Sequence, residues 1–233
     1  MLLTIHALDK VGKEVAVSTN LIGTLTTVSF ILGTEQMARL MIKRPEMVHK
    51  LCEFIYQANV KYADAVIDTG AGVCLPEPLG SCTLISPKQF REFAAPYIKR
   101  LIDHCHSRGQ AVTLHICGKT EKIWEDMVQT GADCLSLDNV IDLSLAKQRV
   151  GDKVCLVGNV DPTSIMLRGT TKDVRNAVID MVEKTYDSPK GYCIATGCDL
   201  PVKTPLGNVH ALMNAAREIG YPITREKLQA LAG

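Results

Sequence analysis

His115-Ile116-Cys117-Gly118 is the segment of this chain best suited to do chemistry. In an extended strand, side chains two apart point to the same face, so His115 and Cys117 project together and Gly118 turns the chain away. Imidazole and thiolate are both good zinc ligands. The pair alone is a weak signal, because a strand can carry a histidine and a cysteine for packing. Cys198, in Ala195-Thr196-Gly197-Cys198-Asp199, closes a later strand and supplies a third donor. Three protein ligands with a fourth position open are the pattern of a catalytic zinc rather than a structural one. No Cys-x-x-Cys pair is present, which speaks against a zinc ribbon.

Other polar residues collect at predicted strand ends. Glu77 lies between Pro76 and Pro78, where it could be a fourth metal ligand, a proton acceptor or a solvated loop carboxylate. Asp138 and Asn159 each end a strand and are candidates for orienting the ligands or touching substrate, while Asp161 is read as a helix cap. Asp68 is expected to end a strand over residues 65–69. Cys52, Cys105, Cys134, Cys155 and Cys193 read as small buried hydrophobes, while Cys74 and Cys82 flank a loop.

The elements that must hold these residues alternate along the chain. Strands are predicted over residues 15–20, 65–69, 111–117, 134–138, 154–158 and 192–196. Helices are predicted over 25–33, 45–62, 87–108, 119–130, 143–148, 162–168, 172–186 and 205–220, with a helix tail before residue 13. Ser86-Pro87-Lys88-Gln89 carries a capping box with proline at the first helical position, and Asp161-Pro162 and Thr204-Pro205 are expected to start helices in the same manner. Strand–helix alternation implies a parallel sheet. No G-x-G-x-x-G or Walker pattern follows a strand, and polar residues sit at six strand ends rather than at one crevice. The expected fold is therefore α/β, a (β/α)8 TIM-barrel type that shows about six of its eight units, so that its first one or two units are missing. Residues 1–233 are read as one such domain.

Composition narrows the function. The 233 residues are 46% hydrophobic and 22% charged with a formal net charge of +1, which gives no broad electrostatic footprint for nucleic acid. No apolar run reaches the ~18 residues of a membrane span, and the start does not read as a signal peptide. Nine cysteines, an odd number without regular spacing, fit reduced thiols and a cytoplasmic setting.

Leu156-Val157-Gly158-Asn159-Val160-Asp161-Pro162 resembles the G-N-x-D-P segment of the uroporphyrinogen decarboxylase superfamily, and residues 20–26 resemble its G-P-F-T-like turn without the proline and phenylalanine. Within that superfamily, His115-Ile116-Cys117-Gly118 followed by Thr196-Gly197-Cys198 resembles the zinc-dependent methylcobamide:coenzyme M methyltransferases. The resemblance implies Zn2+ on His115, Cys117 and Cys198. It implies a methylcobamide, free or on a corrinoid protein, as methyl donor, and a small thiol such as coenzyme M as acceptor. A homo-oligomer is compatible with it. Two rivals remain at this stage: a metal-free decarboxylase of uroporphyrinogen-like substrates, and an inactive or truncated homologue that only binds a corrinoid protein.

Overall fold

The computed structural model describes residues 2–232. These residues fall into two compact units, one of residues 2–116 with 122–135 and one of residues 117–121 with 136–232.

The first unit opens with α1 (Leu2–Val11), the helix whose tail the sequence suggested, followed by β1 (Ser18–Asn20), α2 (Thr24–Leu32), α3 (Thr34–Lys43), α4 (Pro45–Ile67) and β2 (Gly72–Pro76). Next come α5 (Pro87–Gln89), a π-helical turn (Phe90–Ala94), α6 (Ala95–Ser107), β3 (Val112–Ile116) and α7 (Trp124–Gln129). The three strands pair in parallel, with Ser18 opposite Gly72, Val73 opposite Val112 and Pro76 opposite His115. Side chains alternate along β2 and β3, with Val73, Leu75, Val112, Leu114 and Ile116 buried. Phe90, Phe93, Ile98, Leu101, Ile102 and the single tryptophan, Trp124, are also buried. Full burial of each large side chain contributes roughly 1.5–3 kcal/mol.

The strand expected over residues 65–69 is instead the end of α4. The buried stripe Val48, Cys52, Ile55, Ala63, Val66 keeps helical spacing to that point. Gly70, at φ +85°, then turns the chain in the left-handed conformation that glycine takes without penalty, and the strand begins at Gly72. Asp68 accordingly caps a helix end and pairs with Arg108. The long helix expected over 87–108 starts with the predicted Ser86/Gln89 capping box. It widens into the π-turn just before Pro96, which has no N–H to continue the ladder. The helix expected over 119–130 is shorter, starting only at Trp124.

β4 (Cys134–Leu137) begins in the first unit and ends in the second. The second unit continues with α8 (Leu143–Val150), β5 (Cys155–Val160), a π-helical segment (Pro162–Leu167), α9 (Thr171–Thr185), β6 (Tyr192–Thr196), α10 (Leu206–Ile219) and α11 (Arg225–Ala232). β5 and β6 are parallel, with Leu156 opposite Tyr192 and Val160 opposite Thr196. Val174, Val178, Met181 and Val182 of α9 form its buried face. Asp161 caps the Pro162 segment through the N–H groups of Thr163 and Ser164, as expected. Thr204 does not cap α10: Pro205 takes the N-cap position, and the buried Thr204 hydroxyl has no hydrogen-bond partner among the described residues. Cys193 is exposed rather than buried: β6, the last strand of the sheet order, has no buried residue. Strand–helix alternation with parallel pairing gives the α/β architecture of the (β/α)8 TIM-barrel type, and five of the six strands fall where the sequence placed them.

Candidate metal centre

β3 delivers His115 as its penultimate residue, and Cys117 follows two positions later, just past the strand end. Gly118 has φ +69°, so the turn predicted after Cys117 uses backbone that favours glycine. In the second unit, the Sγ atoms of Cys117 and Cys198 stand 3.7 Å apart. That is far longer than the ~2.05 Å of a disulfide, so the two sulfurs are not bonded to each other. His115, two residues before Cys117 in the chain, lies at the end of β3 in the first unit. Burial, with Cys198 next and then the carboxylates of Asp138 and Asp199, pushes the Cys117 thiol up to about 12. Divalent charge beside two sulfurs would reverse that balance and deprotonate a coordinated thiol. The donor set therefore fits a zinc-type ion.

Residues of the second unit hold the backbone next to the two cysteines. Asp138, 9% exposed, accepts the Gly118 N–H at 2.7 Å and the Val140 N–H at 3.2 Å. Asn159, equally buried, donates its Nδ2 to the carbonyls of Asp138 (2.9 Å) and Ile141 (2.8 Å), so it holds the loop after β4 rather than pointing a free amide at substrate. The Gly197 backbone runs so close to that loop that a Cβ there would lie 2.4 Å from the Asn139 nitrogen. Thr196 donates its hydroxyl to the Cys198 carbonyl at 2.8 Å. The role of Gly197 was missed in sequence. Its only signal is its place immediately before a ligand. Asn139, Asn159 and Asp161 also line a cavity of about 490 Å³ beside α8 and α9.

Glu77 sits in the first unit and is fully buried. Its N–H donates to the His115 carbonyl at 2.8 Å. Its carboxylate accepts the N–H groups of Leu25 (3.1 Å) and Thr26 (2.7 Å) and the Thr26 hydroxyl, at the start of α2. Burial pushes this carboxyl up to about 7, against the opposing pull of Thr26 and Leu25. The loop carboxylate expected to be solvated, proton-accepting or metal-bound is thus brought to His115 through its backbone, with its oxygens turned to α2.

Cys52 and Cys105 are buried in helices as expected, and Cys134 and Cys155 are half-buried. His104 and His106, in the last turn of α6, pair with Asp64 and Asp133. His49 stacks on Phe93 at 4.8 Å between ring centroids.

Parallel strand–helix repeats, with His115 at one strand end and the close Cys117–Cys198 pair in the second unit, define a barrel-type α/β protein with a candidate metal centre. The chain belongs to the uroporphyrinogen decarboxylase (URO-D) family, whose signature matches residues 2–219. The methylcobamide:CoM methyltransferase MtbA of Methanosarcina mazei is 29% identical over 91% of this chain and 61% of its own length. MtaA of Methanosarcina barkeri, a methylcobamide:CoM methyltransferase, is 30% identical over the same shares. A uroporphyrinogen decarboxylase of Nitrosococcus oceani is 30% identical over 78% of this chain and 51% of its own. A solved methyltransferase from Methanosarcina mazei superposes with a TM-score of 0.82 at 26% identity, covering 91% of this chain and 61% of that one. The chain thus spans about 61% of the length of the methyltransferases it matches.

Proposed function

We propose that this chain carries the zinc site of a corrinoid methyltransferase, which moves a methyl group from a methylcobamide, free or on a corrinoid protein, to a small thiol such as coenzyme M. The observation that carries the proposal is the Cys117–Cys198 pair, with its sulfurs 3.7 Å apart, and His115 two residues before Cys117 at the end of β3. His115, Cys117 and Cys198 would hold the ion. Zinc with its fourth position open lowers the pKa of an incoming thiol while leaving the sulfur nucleophilic. Asp138 fixes the turn at Gly118 that aims Cys117, and Asn159 fixes the loop that carries Asp138. The protein's own contribution is orientation, since partners behind the ligands keep the donor atoms converged.

The similarity to methyltransferases in both sequence and structure supports this reading. Similar identity to uroporphyrinogen decarboxylases keeps a second one, a carboxy-lyase. Dependence on the three ligands separates them, because a metal-free decarboxylase has no use for the thiols.

The deciding experiment is elemental analysis of purified wild type beside Cys198→Ala. About one zinc per chain, lost in the variant, is the expected result. Demethylation of methylcobalamin with candidate thiols then tests the transfer itself. A folded wild type without zinc after reconstitution would refute the methyltransferase reading and leave the lyase.

A further inference from the structure

Within the first unit, three chain segments distant in sequence close on one side chain. Gly23, the residue before α2, donates its N–H to the Pro76 carbonyl at 2.7 Å. Glu77 donates its N–H to the His115 carbonyl, one residue beyond the Pro76–His115 register pair. From that backbone anchor the Glu77 carboxylate reaches the first turn of α2 and takes up the N–H groups of Leu25 and Thr26 and the Thr26 hydroxyl. The first-turn N–H groups of any helix need acceptors from outside. Here Gly23 stands at the N-cap and offers no side chain. Gly23 is also what admits the carboxylate: a Cβ there would lie 2.2 Å from Oε2 and 2.9 Å from the Glu77 Cβ. The same Thr26 hydroxyl accepts the Leu79 N–H at 3.2 Å, so the chain on both sides of Glu77 is tied to α2.

We infer that Glu77 is a positioning residue for His115, a helix cap supplied from another element that locks the start of α2 onto the backbone carrying the metal ligand. The inference rests on reading His115 as a ligand. Glu77 acts without touching the metal: its carboxylate fixes α2, its N–H fixes the His115 carbonyl, and the imidazole inherits a defined origin. Removing the carboxylate leaves three donors in a buried turn without an acceptor, and α2 then shifts to find water. Ligand-orienting partners of this kind typically change metal affinity 10–100-fold.

Three variants of the full chain test this. Glu77→Gln keeps the shape but turns an amide NH2 toward one of the donors. Gly23→Ala keeps the carboxylate and displaces it. Ser86→Ala removes a cap elsewhere in the same unit and serves as the control for general loss of stability. Hydrogen exchange is measured first on metal-free protein, then zinc affinity by chelator competition. The expected result is faster exchange in peptides covering residues 23–27 and 113–117, and zinc binding weakened 10–100-fold, in Glu77→Gln and Gly23→Ala but not in Ser86→Ala. Zinc affinity in Glu77→Gln within twofold of a zinc-binding wild type overturns the inference. If wild type binds no zinc, the metal reading fails on its own. Exchange in the 113–117 peptide then decides: unchanged in Glu77→Gln overturns the role, faster there and not in Ser86→Ala upholds it. Should Glu77→Gln not fold, Thr26→Val removes one donor of the same knot and is expected to show the same changes at smaller size.

Discussion

At the scale of single residues, the candidate centre is defended by groups that never touch a ligand. Gly197 has the least freedom. A methyl group there meets the Asn139 backbone at 2.4 Å, and backbone cannot yield as a flexible side chain can. Gly197→Ala is therefore expected to cost about 1–3 kcal/mol in urea unfolding and to displace Cys198, with weaker zinc binding by chelator competition. Asp138→Ala strips the Gly118 N–H of its acceptor. Its expected signature is a 10–100-fold loss of zinc affinity with the fold retained by circular dichroism. The candidate donors were read from the sequence by period-two spacing, which places His115 and Cys117 on one face, and by a strand end, which places Cys198. The orientation of Glu77 was not. Its partners lie 51 and 52 residues away, and only the fold brings a helix start to that carboxylate.

At the scale of elements, local signals were reliable where one residue sets the geometry. The Ser86/Gln89 box and the Asp161 cap form as their side-chain chemistry requires. Asp161 offers a test. Burial raises its pKa, but the N–H groups of Ser164 and Thr163 outweigh that and hold the carboxyl below its usual value of 3.8. A depressed pKa means that the cap's contribution is present above the ordinary value and is lost as pH falls through the lowered one. Asp161→Ala is thus expected to cost about 1 kcal/mol at pH 7, a difference that fades in acid unfolding curves below pH 3.8. Boundaries failed where continuity of a buried stripe, rather than a cap, decides. Val66 extends α4 past the point where β-branched residues suggested a strand. α3 went unassigned although Met37 and Met41 are spaced four apart on its buried face.

At the scale of the whole molecule, the barrel-type architecture was legible because alternating strand and helix patterns leave few parallel arrangements. The division into two units was not, since no linker-like composition marks it. Metal bound only by the native state adds stability by mass action. Saturating zinc should therefore raise the melting temperature of wild type and leave that of Cys198→Ala unchanged, as scanning calorimetry with and without chelator would show. The placement of Trp124 turns this into something that can be watched optically. It is the sole tryptophan, it is fully buried, and it lies in the first unit, whereas Cys117 and Cys198 lie in the second. Its emission colour reports the melting of one unit without background from any other indole. Set beside the loss of helix over the whole chain by circular dichroism, that colour gives the order in which the parts come undone.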